Sequence, residues 1–363
     1  MLKPVDAAEI KKYKDQVDSV HEYGMKAIGT MPPMWEIKVL NEHPDWQVLG
    51  SPDEKPRDAT VGWPPPTGSF ISPFGDFYIE KNIQMVKTWN WDGQNIDGFG
   101  FQSLDFNPYN VKAYRQACGS AMPTKADPDD PNYRRYLRWR MEQWDKFVYR
   151  WETALKKLKP EFAFTPWSSG PGRWLHWTAL PRIEGSETEN LLVDAPVLEL
   201  FWDYPPDQGM NLLPSFTIRF YRGFCEERPV WMHSYFRSQG QQHAITPKVE
   251  SEFRLLSTLA NGGVMVCAAW MQTSEAPFVH FLDMLKAREP WLTRTRSQKW
   301  AAMLVSENSR MFYGIPGTRS EFGMMMGSGV DTKDNSSLPP SQRRLAAHLE
   351  SAFGVFRAAR EAH

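Results

Sequence analysis

Residues Tyr78–Gly100 read YIEKNIQMVKTWNWDGQNIDGFG. Ile79, Ile83 and Val86 recur at helical spacing, which predicts an amphipathic helix over about 76–89. Asp92-Gly93 follows as a sharp-turn dipeptide, and residues 94–98 read as a short strand. That strand delivers Asp97 to its C-terminal end, with Gly98 and Gly100 leaving little bulk beside it. In a barrel of alternating strands and helices, reactive groups stand at such strand ends. The plainer alternative for Asp97 is a loop-capping aspartate, a common use of Asp-Gly.

Working outward, Ile10, Tyr13, Val17 and Val20 predict a first helix that Gly24 ends. Residues 25–30 read as a buried strand, followed by a Pro- and Trp-rich loop from Met31 to about Pro73. A loop of roughly forty residues is longer than connection alone requires. Tyr133, Leu137, Trp144, Val148, Trp151, Leu155 and Leu158 make one apolar stripe on a charged helix over 131–158, stopped by Pro160. Strands at 161–165, 196–201, 229–234 and 263–269 follow. They alternate with helices at 211–224, 247–260 and 277–288, the second opened by Thr246-Pro247 and closed by Asn261-Gly262.

Strand then helix, repeated, means parallel strands joined by crossovers. The expected fold is an α/β (β/α)8 TIM-type barrel over residues 1–292. Six barrel strands are countable where eight are expected. Either the first two are missing and the barrel is N-terminally incomplete, or residues 1–75 hold strands of weak pattern. From 293 to 363 the pattern changes. Trp300–Val305 reads as a new strand, 328–340 as a polar loop, and Leu345, Leu349, Phe353 and Phe356 as a final helix, the opening of a second α/β domain.

Among 363 residues the net charge is −1, so no long-range field favours nucleic acid or an anionic membrane. The basic residues of the long helix are matched by Glu and Asp and read as a solvated face. The 16 Trp and 29 Pro are the unusual counts. Trp suits surfaces that stack on sugar rings, although core packing is its commoner use. Cys118, Cys225 and Cys267 stand apart and read as isolated thiols rather than a disulfide framework. No apolar run reaches membrane-spanning length, and the N-terminus shows no signal-peptide core, which leaves the compartment open.

Glycosidic bonds are cleaved between two carboxyl groups, about 5–5.5 Å apart in retaining enzymes and about 6.5–9.5 Å apart in inverting ones. Asp97 is the first candidate. Glu199, inside Val197-Leu198-Glu199-Leu200-Phe201, is the second, since a buried acid is costly unless paired or used, and burial raises its pKa toward that of a proton donor. Its alternative is an internal partner for an Arg or Lys. Asp203, just past that strand, and Glu36, after the strand at 25–30, are further acids. His233 and Arg237 suit substrate oxygens; Trp35, Trp167 and Trp270 each follow a strand and suit pocket walls, or rim packing between loops.

No cofactor is expected. Gly98-Phe99-Gly100 lacks the third glycine of a dinucleotide fingerprint, Ser168-Ser169-Gly170 is not a nucleophile elbow, and the histidines lack metal-ligand spacing.

The order HEYGMKAIGTMPPMWE (21–36), HPDW (43–46), helix, WDGQNIDG (91–98) resembles the α-L-fucosidase barrels of glycoside hydrolase family 29. The resemblance implies that Asp97 is the nucleophile and that an acid such as Glu36 lies near the sugar. From Asp105 through NPYNVKAYRQACGSAMP (107–123) to the long helix, the chain is more similar to family 42 β-galactosidases and to a fucosidase-related group of glycosidases. In those proteins a flavodoxin-like trimerisation domain follows the barrel, and KWAAMLVSENSRMFYG (299–314) resembles its start, implying a homo-oligomer such as a trimer. Two departures stand out. Family 42 uses a Glu at its seventh strand, and the strand of His233 has none. Family 29 does not fix its acid/base in sequence, so Glu199 rests on burial alone. The activity implied is retaining hydrolysis of a terminal fucose or galactose; the rival is a barrel that binds carbohydrate without turnover.

Overall fold

The computed structural model describes residues 7–31, 34–62, 65–96, 104–125, 130–169, 192–200, 212–225, 228–234, 248–266, 276–293, 301–304, 306 and 347–361. Helix α1 (Ala7–Glu22) leads into β1 (Ile28–Met31), then a short α2 (Ile37–Glu42), α3 (Phe74–Trp89) and β2 (Gly93–Ile96). Next come α4 (Pro108–Cys118), α5 (Pro131–Leu158), β3 (Ala163–Phe164), β4 (Trp167–Ser169) and β5 (Val197–Leu200). The described elements finish with α6 (Leu213–Cys225), β6 (Trp231–Ser234), α7 (Lys248–Ala260), β7 (Val264–Val266), α8 (Ala276–Leu292) and α9 (Ala347–Glu361).

All strand pairs are parallel, in the orders β1-β2-β3 and β4-β5-β6-β7. The two ladders share one strand. Thr165 N–H donates to Gln94 O at 2.8 Å, and Val197 N–H donates to Pro166 O at 3.0 Å. Residues 163–169 therefore form a single run with β2 on one side and β5 on the other, interrupted where Pro166 has no N–H to give. The described residues thus give six strand positions in sequence order. A doubly wound sheet would reverse its order at a switch point; this one does not, an order consistent with a barrel.

Side chains sort by the period of two along each strand. Met31, Ile96 and Phe164 join Tyr78, Val86, Trp144, Trp151 and Leu155 in one core between sheet and helices. Leu198 and Met232 join Phe216, Ile218 and Tyr221 of α6 in a second. Trp89, Trp91, Trp139, Trp144 and Trp151 are all buried, so much of the tryptophan count is spent on packing.

Three local details differ from expectation. The turn before β2 is made by Asn90, at φ 55, and not by Asp92-Gly93. Gly93 is the first residue of β2, and a Cβ there would lie 2.6 Å from the carbonyl oxygen of Ala163, so it is glycine because two strands approach closely. Residues 301–304, expected within a strand, are exposed and unpaired as strand, with Leu304 97% exposed. An extended segment needs a neighbour to satisfy its backbone, and none flanks it among the described residues. The final helix forms as expected, and its Phe356 lies 5.4 Å from the ring of Phe216, on the second core.

Asp92 serves as an anchor at the end where strands begin. Its carboxylate accepts from Ala27 N–H at 3.0 Å and Lys159 Nζ at 3.2 Å, and lies 2.6 Å from His21 Nε2. Burial alone would raise this carboxyl, but the bonds from Ala27, His21 and Lys159 hold it well below the usual range. A depressed folded pKa gives stability that is whole above the unfolded value of about 4 and is lost as pH falls toward the folded one. Asp92→Asn is thus expected to flatten the acid limb of stability against pH, read by urea unfolding from about pH 5 down to about pH 2.5. An unchanged acid limb would count against the anchor.

Candidate active site

The face of the sheet away from the helices is set by alternation. Thr30 lies between Gly29 and Met31 and pairs in register with Asn95. Asn95 is 8% exposed and its amide donates to Thr165 O at 2.5 Å, fastening β2 to the next strand from that face. Its neighbour Gln94 is bonded instead to Asn82 of α3, on the helix side. In the second ladder Leu198 and Met232 belong to the helix side, so positions 199 and 233 belong to the other. Ser169, Glu199 and His233 are consecutive Cα partners across three strands, with Val266 next. This row crosses the carboxyl-terminal part of the strands, where a site is expected.

Of the predicted site residues, Asp97, Asp203, Arg237 and Trp270 lie outside the described residues. Trp167, Glu199 and His233 are placed by backbone register. Trp35 and Glu36 are described in full. The indole N–H of Trp35 donates to Thr67 Oγ1 at 3.2 Å, joining the two ends of the long segment after β1. Glu36, 14% exposed, accepts from Lys81 of α3. Burial first, then the Glu36 charge, pushes the Tyr78 hydroxyl far above its ordinary range. The Glu36 carboxylate is thus engaged by a lysine of a neighbouring helix.

The long segment is built, not slack. Gln47, 2% exposed, donates to Leu40 O at 3.1 Å and Arg57 O at 2.8 Å and accepts from Arg57 N–H at 2.9 Å. Gln47 also forms an antiparallel bridge with Gly68. Asn107 then donates to the carbonyls of Asp45 at 2.7 Å and Gln47 at 2.8 Å. The residues that follow β2 are thereby fastened to the segment that follows β1.

Sequence reasoning missed Asp105 and Arg140, both fully buried and 3.0 Å apart. Arg140 was legible as a charge within the apolar stripe of α5, flanked by Leu137 and Trp144. Among the described residues no group of three or more His, Cys, Asp or Glu side chains could hold a metal ion. Cys225 is a buried free thiol, pushed up to about 11 by burial against the opposing Arg228 charge.

No protein-family model matches the chain, and no curated protein matches it. Solved structures do. α-L-Fucosidase isoenzyme 2 from Paenibacillus thiaminolyticus superposes with TM-score 0.51 at 17% identity, over 77% of this chain and 40% of that one. The glycoside hydrolase domain of PgaB (BpsB) from Bordetella bronchiseptica gives 0.55 at 11% identity, over 76% and 78%. The chain shares their fold. A β-galactosidase from Marinomonas ef1 gives 0.54 at 12% identity, over 76% of this chain and 52% of that one. The chain thus spans less than two thirds of the fucosidase and of the β-galactosidase.

Proposed function

We propose that the chain is the barrel of a retaining glycoside hydrolase that removes a terminal sugar such as fucose or galactose. Asp97 is its nucleophile and Glu199 its acid/base, and no cofactor takes part. Asp97 follows β2 in the chain, and Glu199 lies on β5 in register with Ser169 and His233. Barrel strands present reactive groups at their carboxyl ends, which supports the pairing.

Position 199 stands by register beside 169 and 233. Retention requires the two carboxyl groups to stand about 5–5.5 Å apart. An Asp97 oxygen then attacks the anomeric carbon while Glu199 protonates the departing oxygen. Glu199 next takes a proton from water, which displaces Asp97 from the same carbon and leaves the configuration unchanged. His233 and Arg237 bind hydroxyls, with Trp35, Trp167 and Trp270 as walls. Asp203 is the reserve acid, since Glu36 is committed to Lys81.

A panel of chromogenic α-fucosides and β-galactosides tests the reading, with the product anomer followed by NMR. Hydrolysis with retention is expected. Inversion would overturn Asp97 as nucleophile. Saturable sugar binding without turnover would favour the second reading, a carbohydrate-binding barrel, which the lack of a Glu on β6 supports.

A further inference from the structure

The segments that leave β1 and β2 meet at one buried node. Asp105 accepts from Ser69 Oγ at 2.6 Å, Arg140 Nη2 at 3.0 Å and Asn107 N–H at 2.9 Å. Asp105 N–H donates to the Tyr136 hydroxyl at 3.1 Å, and Asn110 donates to that same hydroxyl at 3.2 Å. Arg140 reaches Asn110 with its other amino group, and its guanidinium lies 4.3 Å from the centre of the Phe70 ring. Ser69 and Phe70 belong to the segment after β1, Asp105 and Asn110 to that after β2, and Tyr136 and Arg140 to α5.

An ion pair with both side chains fully buried is a poor device for stability, because well-packed apolar residues of the same volume do as well or better. What an apolar filler lacks is direction. Three donors on one carboxylate fix its orientation, and with it how the two segments sit on one another. We propose that Asp105 and Arg140 are positioning residues, which hold the segment that follows β1 and the segment that follows β2 in one arrangement relative to α5. The catalytic part of this inference rests on the glycosidase reading; the tie between segments does not.

The test compares the full chain with Asp105→Leu/Arg140→Met, which fills the node with apolar groups, and with Arg140→Lys, which keeps the charge but not the planar fork. The double variant is expected to fold, with β1 and β2 amides as protected from hydrogen exchange as in the parent. Amides of 45–49 and 104–107 should exchange on the order of tenfold faster or more. Turnover of an aryl glycoside should fall roughly a hundredfold through kcat rather than KM, the scale of a small misplacement of reacting groups. Arg140→Lys should lie between the two. Unchanged protection of those segments overturns the tie. Lost protection with unchanged kcat overturns the positioning role. A parent that hydrolyses no glycoside sinks the glycosidase reading and the positioning role with it, while exchange still decides the tie.

Discussion

Asp97→Ala is expected to lower turnover of an aryl glycoside by at least the 10²–10⁴-fold typical of losing one proton-transfer group, and by more if Asp97 forms the covalent intermediate. Added azide distinguishes the roles. A small anion entering the space left by a nucleophile attacks the anomeric carbon once, so Asp97→Ala with azide should yield a glycosyl azide of inverted configuration. Glu199→Gln should lose about 10²–10⁴-fold, least for substrates whose leaving group needs no proton, and with azide should give the retained anomer. If Asp97→Ala keeps near-parental turnover, the nucleophile is elsewhere. If the two variants give the same azide anomer, the division of labour is wrong.

Trp151→Ala should be the most destabilising single change among the described core residues, at about 3–5 kcal/mol. Trp151 is fully buried, and its ring meets Tyr78 of α3 and Phe164 of β3 edge-on, each at 5.1 Å, with Phe147 at 5.7 Å. Such pairs add to simple burial, and here one ring holds α5 to both the strand and the neighbouring helix. Trp151→Phe should cost much less, because it keeps an aromatic face toward both partners. Urea unfolding of the full chain measures the difference. A loss under about 1 kcal/mol for the alanine variant would mean that α5 does not pack as described.

Helix α5 was legible to the residue because its signals agree: Asp130 caps it, Pro131 takes the first position, the apolar stripe runs its whole length with Arg140 as the one buried charge, and Lys159-Pro160 ends it. Helix α4 had comparable punctuation, with Asn107 bonded to Tyr109 N–H, Pro108 next and Gly119 at φ 66. Its apolar face is weak, and those residues were read through a family likeness instead. Asp92 has the local pattern of a turn residue, because partners at 21, 27 and 159 are invisible to that pattern. Glu36 shows the same limit: an acid after a strand looks free until a lysine 45 residues on is found beside it. The strand expected over Trp300–Val305 had the right composition, but residues 301–304 form no ladder with any described strand, and composition alone makes none. In the site region, the pattern could place Glu199 on a strand. Only pairing across β4, β5 and β6 sets 169, 199 and 233 side by side.

The interruption at Pro166 also bears on how the molecule is assembled. The first hydrophobic core draws on residues 17 to 193 and the second on 198 to 356, so each closes over a nearly separate stretch of chain. During synthesis the members of the first core emerge before those of the second, and folding by halves is the natural route. At the proline joint Thr165 N–H closes the early ladder on Gln94 and Pro166 O receives Val197 N–H, so the later half starts to zip where the earlier one stops.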